Sequence, residues 1–130
     1  MDIKTHKKID QNLCGTPLEV SEGFSRIELL LAENMTADES GLIHGGFVFG
    51  LADYAAMLAV NHPNVVLGSA DVKFLKPLKK GDTVVAEARV ENITGKKQTV
   101  RVTVENKNTK VFEGTFTCFV LEKHILSEPR

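Results

Sequence analysis

The chain has 130 residues, a net charge of −1 and a hydrophobic fraction of 42%, which are the values of an ordinary globular domain. So small a charge argues against electrostatic capture of nucleic acid, which needs a basic face. Residues 1–11 carry four Lys or His residues and no apolar run, so they do not resemble a secretory signal. The most apolar stretch, 47–60, is too short for a membrane span and contains Asp53. These features predict a soluble cytoplasmic domain without nucleic-acid or membrane partners.

The first third of the chain predicts a short polar segment followed by a β-hairpin. Residues 1–13 are polar and predict a short helix or a frayed end. Residues 18–20 and 24–31 flank the turn-forming positions 21–23, and in the second stretch apolar and charged residues alternate. This period of two is typical of a half-buried strand.

An apolar stretch at 47–60 predicts one helix, because glycines precede it and Pro63 follows it. Its small and large apolar side chains fall on every face. A helix of this kind, in a protein without a membrane span, must be enclosed by the rest of the fold.

The remainder of the chain predicts four antiparallel strands, marked by alternating apolar residues near 70–74, 84–90, 100–104 and 112–120. Turn-forming residues separate the last three of them. A hairpin, one buried helix and four strands predict an α+β fold, with a five- to six-stranded antiparallel sheet wrapped around the helix. We expect a single domain over residues 1–130, with its core at about 18–121.

The enclosed helix also predicts a second copy of the chain. One open sheet cannot cover a helix that is apolar all round, whereas a partner could complete the cover. Pairing of sheet edges would also remove exposed backbone groups. We therefore predict a homodimer with a site near the subunit boundary.

Asp53 is the one charged residue between Gly45 and Asn61. An unpaired carboxylate in apolar surroundings is costly, and desolvation raises its pKa. Such a residue either caps a neighbouring loop or serves as a general base or nucleophile.

The triplet His44-Gly45-Gly46 stands at the predicted start of the helix. Free N–H groups and a partial positive charge at a helix N-terminus suit an oxygen that gains negative charge, although two glycines are also typical of a tight turn. Asp53 follows Gly46 by two turns, about 10 Å along the axis. The Asp53 that meets a carbonyl held at Gly45 is therefore expected to come from the opposite subunit.

The segment HGGFVFGLAD, residues 44–53, resembles the HGG-x4-LAD signature of PaaI-type hot-dog thioesterases. The segments ADVKFLKP, 70–77, and KGDT, 80–83, are similar to a strand-turn-strand segment of the same family. The resemblance covers about residues 20–121. It implies a hot-dog fold, dimers that often pair into tetramers, and hydrolysis of acyl-CoA thioesters without a metal or another cofactor, coenzyme A being part of the substrate.

The resemblance also implies roles for single residues. Asp53 would activate water or attack the thioester, and the backbone N–H of Gly45 would polarise its carbonyl. His44 would orient the loop or assist the leaving group. The family often has Asn where this chain has Asp38. Near the site this second carboxylate would repel Asp53 or share a proton with it, whereas away from the site it is an ordinary loop acid.

Other candidates concern the coenzyme. Gly46 allows close approach of the ligand, and Ser69 and Asp71 are expected to line a channel from the family pattern. Lysines in two segments could hold phosphates or could be plain solvated surface: Lys73, Lys76, Lys79, Lys80, Lys96 and Lys97. His6, His62 and His124 are predicted at the surface or as caps, and the separated Cys14 and Cys118 predict free thiols.

Three functions remain open. The first is a hydrolase that cleaves an acyl or aryl-acyl thioester of coenzyme A. The second is a non-catalytic module that binds or senses acyl-CoA, an idea that Asp38 keeps open. The third is a hydratase or dehydratase, although the HFP-like loop usual in those enzymes is missing.

Overall fold

The computed structural model describes residues 1–127. The α-helices and β-strands in this range are α1 Gln11–Cys14, β1 Thr16–Ser21, β2 Phe24–Leu30, α2 Gly45–Val60, β3 Val65–Phe74, β4 Thr83–Thr94, β5 Lys97–Asn106 and β6 Thr109–Val120. Short 3-10 helices occupy Glu33–Met35 and Ile125–Ser127. No helix in the described range is long and apolar enough to cross a membrane.

The six strands form one antiparallel sheet in the order β1-β2-β4-β5-β6-β3. Helix α2 packs on this sheet, chiefly against β2, β4 and β5, and also touches the other three strands. A six-stranded antiparallel sheet wrapped around one long helix is the hot-dog fold, so the predicted fold class is confirmed.

The alternating rows of the sequence form the core, as predicted. Its buried side chains from these rows are Ile27, Leu29, Leu31, Val84, Ala86, Ala88, Val100, Val102, Val104, Phe112, Phe116 and Cys118. These side chains face α2, most of whose own residues are buried too. Burial of such side chains contributes about 1.5–3 kcal/mol each, so the core holds the helix firmly on the sheet.

The rotation of α2 about its axis is fixed by a buried hydrogen bond. The hydroxyl of Ser25 on β2 donates to the carbonyl oxygen of Ala55 at 2.6 Å. Asp53 precedes Ala55 by two residues, about 200° around a helix, so it faces away from β2. The opposite face carries the least covered stripe of the helix, Gly46, Gly50 and Asp53, each exposed or half-buried.

Strand β3 departs from the sequence prediction. Alternation predicted that Ala70, Val72 and Phe74 would face inward, but Val72 alone of the three is even partly buried. The reason is position, because β3 is the last strand of the sheet and its outer part is exposed on both faces. Such an edge offers free backbone N–H and C=O groups to another strand.

The N-terminal segment is in part a correction, since α1 at Gln11–Cys14 is a short helix as predicted, but residues 1–10 are neither helical nor frayed. Thr5 is buried, and Ile3 and Ile9 pack against the core. Asn61, at the C-terminal end of α2, accepts a hydrogen bond from Lys4 N–H and donates from its amide to the carbonyl oxygen of Asp2, each at 2.8 Å. The first residues therefore fold back onto the helix.

Candidate active site

Asp53 lines a cavity of about 610 Å³ beside α2. The apolar part of its wall is formed mainly by Met57 and the first residues of β3, Val65, Val66 and Leu67. Burial raises the pKa of the Asp53 carboxyl to about 6. Within residues 1–127 this carboxyl makes no hydrogen bond or ion pair, so it is a desolvated and unpartnered acid that faces an open volume.

Two thiols lie close enough to Asp53 for its negative charge to raise their pKa values. Burial raises the pKa of Cys118 to about 12, with a further contribution from the negative charge of Asp53. The pKa of Cys14 is raised by burial and by the carboxylates of Asp10 and Asp53. Because the thiolate is the reactive form, raised pKa values make both cysteines poor nucleophiles, and Asp53 is the candidate reactive group of this neighbourhood.

Gly45 is the first residue of α2, with His44 as N-cap. Its N–H therefore has no acceptor within the helix, and no other acceptor bonds to it in the described part of the chain. Gly45 lines a second cavity, of about 280 Å³, together with Phe74 and Lys76. A Cβ on Gly45 would lie 3.1 Å from Cε1 of Phe74, so glycine keeps the N–H open between the helix and this ring.

Gly46 makes room for the imidazole of His44. A Cβ on Gly46 would lie 3.0 Å from both Cδ2 and Nε2 of that ring. The ring of His44 also meets Phe47 edge-on, with centroids 6.1 Å apart, and the residue is exposed. His44 thus sits folded over the start of the helix, where it can orient the loop or face a ligand.

A single chain does not bring all the predicted site residues together. Gly45 and Asp53 line different cavities, one at the start of α2 and one at its middle. Asp38 is exposed and lines neither cavity. Its carboxylate accepts hydrogen bonds from the N–H and the hydroxyl of Ser40, and these bonds lower its pKa. It is therefore an ordinary ionised turn carboxylate within one copy of the chain.

Some of the predicted coenzyme residues lie along or just after the edge strand, whereas Gly46 lies on α2 and Lys96 and Lys97 lie at the turn between β4 and β5. Ser69, Asp71 and Lys73 are exposed on β3, and Lys73 pairs in register with Glu113. Lys76 lines the same cavity as Gly45, so its positively charged side chain lies near the start of α2. Within residues 1–127, no group of three His, Cys, Asp or Glu side chains is placed to hold a metal ion.

Sequence reasoning missed two residues at these cavities. His6, predicted at the surface, is half-buried and lines the Asp53 cavity. The sequence around His6 could not predict this placement, because it depends on the long-range hydrogen bonds that Asn61 makes to the N-terminal segment. Phe74 was taken for a core residue, whereas it covers Gly45 and meets Phe112 edge-on with centroids 5.1 Å apart.

The chain can be compared with known proteins by its sequence and by its fold. The profile of the thioesterase superfamily matches residues 40–113, which include the start of α2, Asp53 and the edge strand. The chain belongs to this superfamily. Its curated relatives include a protein of Aquifex aeolicus named methylthioribose-1-phosphate isomerase, 54% identical over 94% of this chain. Another is transcription factor FapR of Caldanaerobacter subterraneus, 30% identical over 74% of this chain.

These curated relatives are longer proteins. The chain spans 27% of the length of the Aquifex protein and 48% of that of FapR. A hot-dog domain of the thioesterase superfamily is thus found joined to further sequence in these relatives, and the name of the whole protein does not transfer to this part.

Solved structures agree with the superfamily assignment. Protein PH1136 from Pyrococcus horikoshii is 51% identical, with a TM-score of 0.96 over 98% of both chains. An Asn-to-Asp mutant of the phenylacetic acid degradation protein PaaI from Thermus thermophilus is 31% identical, with a TM-score of 0.78 over 84% of this chain and 95% of its own. Protein smu.793 of Streptococcus mutans, bound to acetyl-CoA, is 26% identical, with a TM-score of 0.76 over 85% and 90% of the two chains. The predicted resemblance to PaaI-type thioesterases is confirmed.

Proposed function

We propose that this member of the thioesterase superfamily hydrolyses an acyl or aryl-acyl thioester of coenzyme A at a site shared by two copies of the chain. The observation that carries the proposal is the Asp53 carboxyl, desolvated and unpartnered at the wall of a cavity. A general base works best when its pKa lies near the working pH, and about 6 is close enough to keep Asp53 ionised yet basic. The binding of acetyl-CoA by smu.793 supports coenzyme A thioesters as the substrate class.

The chemistry divides between the two ends of the site. The thioester carbonyl accepts a hydrogen bond from the free N–H of Gly45, which stabilises the oxyanion that forms. Asp53 takes a proton from a water molecule as the water oxygen bonds to the carbonyl carbon. The C–S bond then breaks, and the proton passes from Asp53 to the departing sulfur, so the products are a carboxylic acid and free coenzyme A. Direct attack by Asp53, through a mixed anhydride that water then opens, has the same overall balance.

A second copy of the chain is part of the proposal, because Gly45 and Asp53 line separate cavities within one copy. The open edge of β3 and the uncovered stripe of Gly46, Gly50 and Asp53 are the surfaces that a partner would cover. In an isologous dimer, Asp53 of one subunit faces Gly45 of the other, and the pair of sites is related by the two-fold axis. Sedimentation should give a dimer or tetramer at micromolar concentration, whereas a stable monomer would contradict this arrangement.

The second candidate is a module that binds acyl-CoA without cleaving it. The relationship to a transcription factor, FapR, favours this alternative, as does Asp38 in place of the family Asn. Asp38 is ionised in the single chain, so near a second copy's Asp53 it would hinder loss of a proton there.

Release of free thiol separates the two functions. A panel of short-chain, medium-chain and aryl-acyl coenzyme A thioesters is incubated with the protein, and free coenzyme A is measured with a thiol reagent. Saturable release by the wild-type protein is the expected result. Saturable binding in calorimetry without thiol release from any thioester would contradict hydrolysis and support the binding module.

A further inference from the structure

Part of the wall of the Asp53 cavity is built from the N-terminal segment. Lys4, Thr5, His6 and Lys7 all line the cavity. This wall is held in place by the two hydrogen bonds of Asn61 to the backbone of Asp2 and Lys4 described above. A segment pinned in this way can present a side chain to a ligand in a defined orientation.

His6 adopts an unusual backbone conformation within this segment. Its backbone has φ +54°, a left-handed conformation that is unfavourable for a non-glycine residue and persists where surrounding contacts impose it. Its ring packs near Tyr54, with centroids 6.4 Å apart and planes tilted by 37°. Burial lowers the pKa of His6, which favours the neutral imidazole.

The contact with Thr5 assigns the position of the proton on that neutral ring. Oγ1 of Thr5 lies 2.8 Å from Nδ1 of His6, and this is the hydrogen bond that the buried hydroxyl makes within residues 1–127. Polar atoms of a buried residue need partners, so we assign the Thr5 hydroxyl as the donor and Nδ1 as the acceptor. Nε2 of His6 then carries the ring proton, and no acceptor in the described part of the chain bonds to it.

The composition of the cavity wall favours a ligand that carries a polar atom. Besides apolar residues such as Met57, the wall carries several polar side chains: Lys4, Thr5, His6, Lys7, Asn64 and His124. A long saturated acyl chain laid along these groups would strip them of water and offer nothing in return, at roughly 1–3 kcal/mol for each unpaired group. A short acyl group that bears an oxygen would replace that water.

We propose that His6 determines substrate specificity, its Nε2–H donating a hydrogen bond to an oxygen that the acyl group carries beyond the thioester carbonyl. The substrate class is then a short 3-hydroxyacyl or 3-oxoacyl thioester of coenzyme A rather than a plain saturated one. This inference rests on the proposed function for its substrate, but it concerns a residue and a wall that the hydrolytic step does not use.

The test compares two thioesters that differ by one oxygen, 3-hydroxybutyryl-CoA and butyryl-CoA, by thiol release. The wild-type protein should show a kcat/KM at least about tenfold higher for the hydroxylated thioester, because a site that donates to a hydroxyl rejects the analogue without it. His6→Phe keeps a ring but no donor, and should bring the ratio to about one. His6→Gln restores an N–H at a similar reach and should recover part of the ratio.

Two controls separate recognition from folding. His6→Gly relieves the left-handed backbone and removes the ring, so it should lose the preference while keeping the melting temperature. His62→Gln changes a histidine that lies outside the cavity and should keep the wild-type ratio. An unchanged ratio in His6→Phe would overturn the inference, as would a wild-type preference for butyryl-CoA.

Failure of the proposed function is distinguishable from failure of this inference. If the wild-type protein releases no thiol from either thioester, hydrolysis is wrong, and the dissociation constants of the same two thioesters are measured by calorimetry instead. Tighter binding of the hydroxylated thioester that disappears in His6→Phe would then support the role of His6. Equal affinities in both proteins would contradict it.

Discussion

The two ends of the site lie on one helix but differ in almost every physical respect. At its start, α2 presents Gly45, a residue without a side chain, whose free N–H and helix dipole favour negative charge. Two turns later it presents Asp53, a negative group in surroundings that disfavour charge and raise its pKa to about 6. In the proposed mechanism the first end stabilises a developing anion, and the second end acts as the base that takes a proton from water.

The comparison shows that each end lacks what the other supplies. Within residues 1–127, the cavity at the positive end is lined by no carboxylate, and the basic end lines a cavity that does not include the free N–H. Since both lie on a rigid helix, no local motion can join them within one chain. In the proposed function the chain therefore carries two half-sites, which a two-fold axis would unite.

The largest expected effect is on the basic end. Asp53→Asn keeps the shape of the side chain but cannot accept a proton from water, so kcat should fall by about 10²- to 10⁴-fold. The measurement is thiol release at saturating acyl-CoA. Glu91→Gln, which neutralises an exposed acid on β4, serves as the control and should stay within about twofold of wild type.

A slightly smaller effect is expected at the positive end. Gly45→Pro removes the N–H while suiting the first position of a helix, and His44 already has ψ 129°, which a following proline requires. Loss of one oxyanion donor should lower kcat by about 10²-fold. Gly45→Ala adds the same Cβ beside Phe74 but keeps the N–H. If both variants lose activity equally, crowding against Phe74 is responsible and the N–H is not.

The pH dependence sharpens the comparison further, because Asp53 titrates at the basic end. With a pKa of about 6, Asp53 is mostly ionised at pH 7 and mostly protonated at pH 5, so kcat/KM should fall about tenfold between these values. The measurement is the pH profile of thiol release. A profile flat down to pH 4.5 would mean that Asp53 does not act as the base.

The smallest effect concerns stability. The folded-state pKa of Asp53, about 6, lies above its ordinary 3.8, so as the pH rises the unfolded chain loses this proton first. Burial of the charge therefore destabilises the wild-type fold progressively between about pH 4 and pH 6, and fully above pH 6. Asp53→Asn should melt a few degrees higher than wild type at pH 7.5 and at the same temperature near pH 3.5, as measured by circular dichroism. An Asn variant that melts lower at pH 7.5 would show that Asp53 is stabilised by a partner.

Much of the fold could be predicted because its signals are local. The period-two rows of β4, β5 and β6 and the continuous apolar run of α2 need no knowledge of the partners they meet. Strand β3 could not be placed this way, since its alternation looks like that of an inner strand and its exposure depends on its place at the sheet edge. The N-terminal wall depends on Asn61, more than fifty residues away in sequence.

As with the fold, those features of the candidate site that depend on local sequence could be predicted. Asp53 stood out as a lone acid in an apolar run, and the glycines of residues 45–46 marked a helix start. Their separation followed from helix geometry alone. His6 and Phe74 reach the cavities through tertiary packing, so no spacing in the sequence could announce them.

The claim that each site takes its base and its N–H from different chains has a direct test. Asp53→Asn and Gly45→Pro chains are each purified, then mixed in equal amounts under conditions that let subunits exchange. Half of the dimers become hybrids with one intact site each, so thiol release should recover to about a quarter of the wild-type rate. Activity that stays at the sum of the two separate variants, despite proven exchange, would place both groups in one chain and contradict the shared site.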